Sequence, residues 1–249
     1  MRNLFRSQGS LFVVLLLTFL FRSFGAEAFN IPTGSAVPTL LIGDHVVVSK
    51  YAYGFSRYSL AFLPSGATGF LHGRLFKSDP KRGDIIVFVN PHDGETLIKR
   101  CVGLPGDRIQ MVHGILHING KPVARHRVED YVDAEPGLPT FTRYHYIETL
   151  PGGVTHDILG APTDMREDSL PQDNSQVYDV PAGHYFGMGD NRDNSTDSRF
   201  LSQVGFIPAE NLIGRAEFQE VSTRDNIPVW QFWKWPSDVR FGRFFQRVH

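Results

Sequence analysis

From Ile31 onward, the apolar residues of this chain fall in short β-branched runs and not at helical spacing. Asp44-His45-Val46-Val47-Val48-Ser49-Lys50 and Asp84-Ile85-Ile86-Val87-Phe88-Val89 follow Gly-Asp punctuation and predict strands. Arg108 to Pro122 alternates apolar with polar positions and contains Asn119-Gly120 near its end, which predicts a hairpin followed by a tight turn. Gln176-Val177-Tyr178-Asp179-Val180 and His184-Tyr185-Phe186-Gly187-Met188 flank Pro181-Ala182-Gly183 and predict another pair of strands. No segment between Ile31 and Val221 sustains a 3.6-residue apolar period. The expected fold is therefore mainly β, with antiparallel twisted sheets or a partly closed barrel and few helices. Residues 124–175 carry more charge, Pro and Gly on a weaker pattern, and are expected to form a β-rich insertion lobe. The β core is then residues 30–123 and 176–221, with an N-terminal segment 1–29 before it and a tail 222–249 after it. No internal repeat is visible.

The N-terminal segment has a different texture. Leu11 to Phe21 is apolar but for Thr18, and fifteen uncharged residues separate Arg6 from Arg22. As helix, fifteen residues cover roughly 23 Å, short of the ~30 Å hydrocarbon core. Two readings stand. In one, Leu4, Phe5 and Phe24 extend an uncleaved single-pass transmembrane helix whose flanking arginines reach outward. In the other, a basic start, an apolar run and Ala26-Glu27-Ala28 make a removable signal peptide. Arg22 directly after the run favours the anchor. Both readings export the rest of the chain. Arg2, Arg6 and the amino terminus on one side, against an Arg22 and Glu27 that cancel on the other, keep the N-terminus cytosolic.

Composition narrows the function classes. A net charge of −1 gives no global basic field for nucleic acid, which is not expected as a partner. Cys101 is the lone cysteine, so no intrachain disulfide is possible. The ten histidines show no zinc-ligand spacing, and no metal or cofactor is expected. The tail holds all three tryptophans, in Val229-Trp230-Gln231-Phe232-Trp233-Lys234-Trp235-Pro236, followed by Arg240, Arg243 and Arg247. It reads either as a packing element or as a membrane-interface patch.

Three stretches carry the candidate chemistry. Met188 to Phe200 is polar and without period, so alone it is a solvated turn. A calcium loop counted from Asp193 fails, because Ser198 stands where Gly is required and Val204 where the bidentate Glu is. Ser35 lies between Pro32 and Pro38 with Gly34 beside it, a stiff frame that can present a hydroxyl. Most serines in such loops are structural. Lys99 sits among Thr96, Leu97, Ile98, Cys101 and Val102, where strand alternation places it on the same face as Leu97 and Cys101. Such a lysine either reaches solvent from an edge strand or loses its proton by desolvation and becomes a candidate general base.

Together these residues resemble the bacterial type I signal peptidases, the leader peptidases that use a Ser-Lys dyad. The Ser box matches at Ile31-Pro32-Thr33-Gly34-Ser35 and continues from Pro38 to Asp44, and the Lys box matches from Ile98 to Asp107. The third box matches from Gly189 to Ser195 and on to Arg199, and Lys81-Arg82-Gly83-Asp84 and Val204-Gly205-Phe206-Ile207-Pro208 are also similar. The match covers most of 30–108 and 177–217, in the family's order. The resemblance implies Ser35 as nucleophile and Lys99 as general base. It implies an oxyanion site from the Ser35 N–H and the Thr33 hydroxyl, and Ser195 orienting Lys99. Asp197 and Arg199 would form a structural pair that holds the third box, with Asp190 and Arg192 in similar scaffolding roles. It implies substrates that are exported preproteins cut after small residues of Ala-X-Ala type. The enzyme would sit in a bacterial inner (plasma) membrane, with the bilayer as partner and the catalytic core on the extracytoplasmic side.

One position departs from the family, which usually has Met after the nucleophile; here it is Ala36. A smaller side chain there bears on substrate preference, not on the dyad. Three other readings are weighed against this one. The first is a specialised peptidase maturing pilin or conjugation proteins. The second is a self-cleaving repressor-type Ser-Lys protease, against which the apolar N-terminus counts. The third is a non-catalytic membrane-tethered β domain.

Overall fold

The computed structural model describes residues 13–20, 22–59, 73–133, 140–162, 165, 170–224, 231, 233 and 238–248. Its strands, in chain order, begin with β1 (Ala26–Asn30), β2 (Asp44–Ser49), β3 (Ile85–Val89) and β4 (Thr96–Gly103). Then come β5 (Arg108–Val112), β6 (Ile115–Ile118), β7 (Lys121–Pro122), β8 (Ala124–Arg127), β9 (Tyr131–Asp133), β10 (Phe141–Thr149) and β11 (Thr155–Pro162). The last are β12 (Tyr178–Asp179), β13 (His184–Met188), β14 (Ile207–Pro208) and β15 (Leu212–Ser222). The fold is mainly β, and its largest sheet is antiparallel and curls into a half-barrel. That sheet runs β1-β2-β15-β3-β4-β13-β14. A second sheet runs β12-β5-β6-β7, and a third joins β11, β10 and β8, with β9 also pairing β10. The third sheet lies wholly within the stretch read as an insertion.

The β-branched runs at 44–50 and 84–89 become β2 and β3, which are largely buried. The alternating segment from Arg108 makes the hairpin β5–β6, then turns again into β7. Each turn has two consecutive residues at positive φ, His113 (49°) with Gly114 (70°) and Asn119 (54°) with Gly120 (76°). That is the backbone a two-residue hairpin turn demands. The expectation for 176–188 needs correction. β12 and β13 flank a turn but do not pair with each other. β12 adds to β5, while β13 pairs β4 on one side and β14 on the other. Both runs are apolar enough to be strands, but the burial available on two different sheets outweighs the local hairpin.

Alternation along β4 and β13 sends their side chains to two clusters. Val102, Phe186 and Met188 pack with Ile109, Met111, Leu116 and Tyr178 from the β5 sheet. Cys101 and Tyr185 pack with Ile86, Phe88, Ile207 and Leu212.

The expected N-terminal transmembrane helix is not found in this form. Residues 13–20 are helical, with Val13 to Leu17 and Leu20 exposed. Among the described residues no helix is long and apolar enough to cross a membrane. Residues 22–24, which include Phe24 of the expected span, are also helical, and residues 1–12 and 21 lie outside the described residues. Ala26, Glu27 and Ala28 belong to β1 and register with Ser49, Val48 and Val47 of β2. Glu27 pairs with Arg22 at 2.6 Å and with the buried Lys50 at 2.7 Å, which fixes the strand's entry. Most of the tryptophan-rich run 229–236 also lies outside the described residues. Two of the tail arginines turn inward: Arg240 donates to the Ile42 and Thr223 carbonyls, and Arg243 donates to Asp44 and the Thr39 carbonyl, while Arg247 is exposed. Trp233, Phe241 and Phe245 remain exposed.

Phe186 joins two sheets: it is fully buried, with its ring centroid 5.1 Å from that of Tyr178 and 6.1 Å from that of Phe206. Phe186→Ala is expected to lower stability by about 3–5 kcal/mol through lost burial and an unfilled cavity. Urea unfolding measures this, and a loss below about 1 kcal/mol would contradict the packing described here.

Candidate active site

Lys99 stands on β4, and β4 is not an edge strand: β3 pairs with it on one side and β13 on the other. The edge-strand route to solvent is therefore closed, and Lys99 is only 4% exposed. Gly187 on β13 makes room for it, since a Cβ there would lie 3.1 Å from the Lys99 Cβ and 2.8 Å from Ile207. The amine has two hydroxyl partners. Lys99 Nζ lies 2.8 Å from Ser35 Oγ and 3.1 Å from Ser195 Oγ. Burial lowers its pKa from the usual 10.5 to about 8. Asp197 and Asp190 pull it upward, while Arg199 pushes it down. A nitrogen of this kind, in bonding reach of a hydroxyl, can accept its proton near neutral to mildly basic pH.

Ser35 occupies a single 3₁₀ turn, Gly34–Ala36, between Pro32 and Pro38. The turn is closed by Val37 N–H to the Gly34 carbonyl and Leu40 N–H to the Ala36 carbonyl. Ser35 and Ala36 are buried, whereas Thr33 is exposed at the turn's entrance. Ala36 belongs to a buried apolar cluster with Ile31 and Leu40, against which Ile98 packs.

The third box wraps this pair. Asn191 N–H donates to the Ser35 carbonyl at 3.1 Å, and its side-chain amide donates to the Gly34 carbonyl at 3.1 Å. Gly189 lies so close that a Cβ would collide with the Ser195 side chain and the Ser35 carbonyl. Asp197 accepts two bonds from the Arg199 guanidinium, at 2.8 and 2.9 Å, and one from the Gly189 N–H at 3.0 Å. Burial alone would raise the Asp197 pKa, but Arg199 holds it below the usual carboxylate range. Asp190 accepts from Arg100 at 2.8 Å through each oxygen, and from the Thr39 hydroxyl. Arg192 pairs through both terminal nitrogens with Glu148 of β10.

The structure thus brings Ser35, Lys99, Ser195, Asp197 and Arg199 together and leaves Thr33 at the rim. Sequence reasoning assigned no part to Asn191, Arg100, Thr39, Glu148 or His156. The first three lie inside boxes already singled out. Glu148 and His156 lie in the weakly patterned insertion and gave no signal. Among the described residues no group of three His, Cys, Asp or Glu side chains is placed to hold a metal ion.

The family model and the similar sequences carry the same family name. The family model described as signal peptidase, peptidase S26, matches residues 4–220. A signal peptidase I of Rickettsia massiliae (strain Mtu5) is 38% identical over 257 aligned positions, covering 97% of this chain and 92% of its own. That of Rickettsia prowazekii (strain Madrid E) is 37% identical over 265 positions, with the same coverage. A crystal structure of a signal peptidase I from Enterococcus faecalis V583 aligns at 28% identity and TM-score 0.32, covering 55% of this chain and 97% of its own. With its family's model spanning most of its length and such relatives on either measure of coverage, the chain belongs to the signal peptidase family, peptidase S26.

Proposed function

We propose that this chain is a membrane-anchored serine endopeptidase that removes signal peptides from exported preproteins, with Ser35 as nucleophile and Lys99 as general base. The observation that carries this reading is the buried amine 2.8 Å from the Ser35 hydroxyl. In the proposed reaction Lys99 Nζ takes the Ser35 proton as Oγ attacks the scissile carbonyl. The tetrahedral oxyanion then faces the Ser35 N–H and the Thr33 hydroxyl; losing one such donor typically costs ~3 kcal/mol of transition-state stabilisation. Lys99 hands its proton to the departing amine. Water deacylates the ester, again with Lys99 as base. Ser195 orients the amine, and Asp197 with Arg199 keeps the third box in place.

A preference for small residues before the cut belongs to this reading, since larger side chains clash in a shallow apolar pocket. The exposed apolar residues at 13–20 fit an anchor that keeps the core on the extracytoplasmic side, near emerging signal peptides. An anchor that is retained also fits β1, because cleavage after Ala28 would cut a paired strand.

Ser35→Ala and Lys99→Ala are each expected to lower preprotein cleavage in detergent by about 10³-fold or more. Retained cleavage in either variant rejects the dyad. Since Lys99 works only when neutral, kcat/KM is expected to rise with pH through about 8 and then level off. A profile already flat from pH 6 to 9 rules out this base. Intact-mass measurement of membrane-extracted protein is expected to show the full N-terminus; a mature chain starting at Phe29 would contradict retention.

A further inference from the structure

We infer that Glu148, on the inserted hairpin β10–β11, is a positioning residue for the dyad, holding the third box through Arg192. The inference rests on the Ser-Lys reading above. Glu148 is 1% exposed, and its carboxylate meets both terminal nitrogens of the buried Arg192. The Arg192 carbonyl in turn accepts from the Arg199 guanidinium at 2.5 Å. Arg199 holds Asp197, and Asp197 holds the Gly189 N–H beside Ser35. Ser195, the second partner of the Lys99 amine, lies between Arg192 and Asp197 in this clamped turn.

The hairpin makes two more attachments. Leu159 N–H of β11 donates to the Asp190 carbonyl at 2.9 Å, and Leu159 forms a parallel bridge with Asn191. His156 of β11 is buried, with Nε2 3.4 Å from Glu148 and 3.9 Å from Asp190. Asp190 and Glu148 are the carboxylates of the two arginines that flank the site, Arg100 and Arg192. Burial alone would raise the Glu148 pKa, but Arg192 overrides it and holds the group at about 2, so the carboxylate is charged at any working pH. Removing that charge leaves Arg192 buried and unbalanced, which costs more than the bond itself. The guanidinium then seeks water or another acceptor, and the turn carrying Ser195 shifts with it. Displacements of about 1 Å at a supporting residue are enough for about 10²-fold losses in rate.

The test compares Glu148→Gln with the unaltered protein on a preprotein substrate, with Lys99→Ala as control. We expect kcat to fall by about tenfold or more while KM stays within about twofold, because Glu148 touches no substrate. The rise of kcat/KM with pH is expected to move to higher pH, as water reaching the amine relieves the desolvation that depresses it. A solely structural ion pair would lower the melting temperature and leave both readouts unchanged well below it; that result overturns the inference. Should Glu148→Gln fail to fold, the double variant Glu148→Gln/Arg192→Gln, which leaves no unpaired buried charge, carries the same measurements. An active Lys99→Ala protein would instead overturn the dyad. An inactive Lys99→Ala beside an unimpaired Glu148→Gln overturns the role of Glu148 alone.

Discussion

A primary amine kept dry beside a hydroxyl is the constraint to which the rest of this structure answers. Water would protonate Lys99 at once, so every neighbour must exclude solvent without supplying a net field. The two carboxylates that act on it are each matched by an arginine: Asp197 by Arg199 and Asp190 by Arg100. Unmatched, the nearby Asp197 and Asp190 would stabilise the charged amine, since both pull its pKa upward. Paired, they leave burial as the strongest influence. The ion pairs therefore serve the site less by adding stability, which buried pairs seldom do, than by cancelling one another around the amine while fixing the backbone that carries it.

Topology explains how the pieces meet. Ser35 and Lys99 are 64 residues apart, and Ser195 lies 96 beyond Lys99. The sheet order places β4 between β3 and β13, so a side chain at its middle has strands on both flanks. The Ser box enters just ahead of β2, and the third box leaves the end of β13. Both can therefore close over the same part of the curled sheet. The glycines at 187 and 189 are the points of closest approach; one admits the lysine stem, the other lets Ser195 and the Ser35 carbonyl come together.

Some of this was legible along the chain and some was not, for physical reasons. Strands β2 and β3 announce themselves because a buried strand needs β-branched residues in sequence, and the turn at 119–120 because two consecutive positive φ angles favour Asn-Gly; the turn at 113–114, with His113 at positive φ, carries no such signal. Lys99 was conspicuous as a charge in an apolar run. The partnering of β12 and β13 was not legible, because strand propensity says nothing about which edge offers more burial. Glu148 was invisible for a related reason. A glutamate in an alternating strand looks solvent-facing, and only the arrival of Arg192, 44 residues later, reverses that. Buried polar networks carry no period, so their members can be named only once the chain has folded around them.

The same dryness has a thermodynamic consequence. In the unfolded chain Lys99 keeps its ordinary pKa of 10.5, while in the fold it sits at about 8. Between these values the unfolded state binds more protons, so stability rises with pH across that window and falls as pH drops through it. The difference is on the order of 3 kcal/mol below pH 8, a large share of a domain's net stability. The surrounding apolar clusters must offset it, which is why the lysine is carried by an interior strand of the largest sheet and not by a loop. A loop would hold a lysine at less cost, but water would reach the amine and restore its charge. The location that makes the proposed base chemically competent is thus also one where the fold bears an electrostatic penalty.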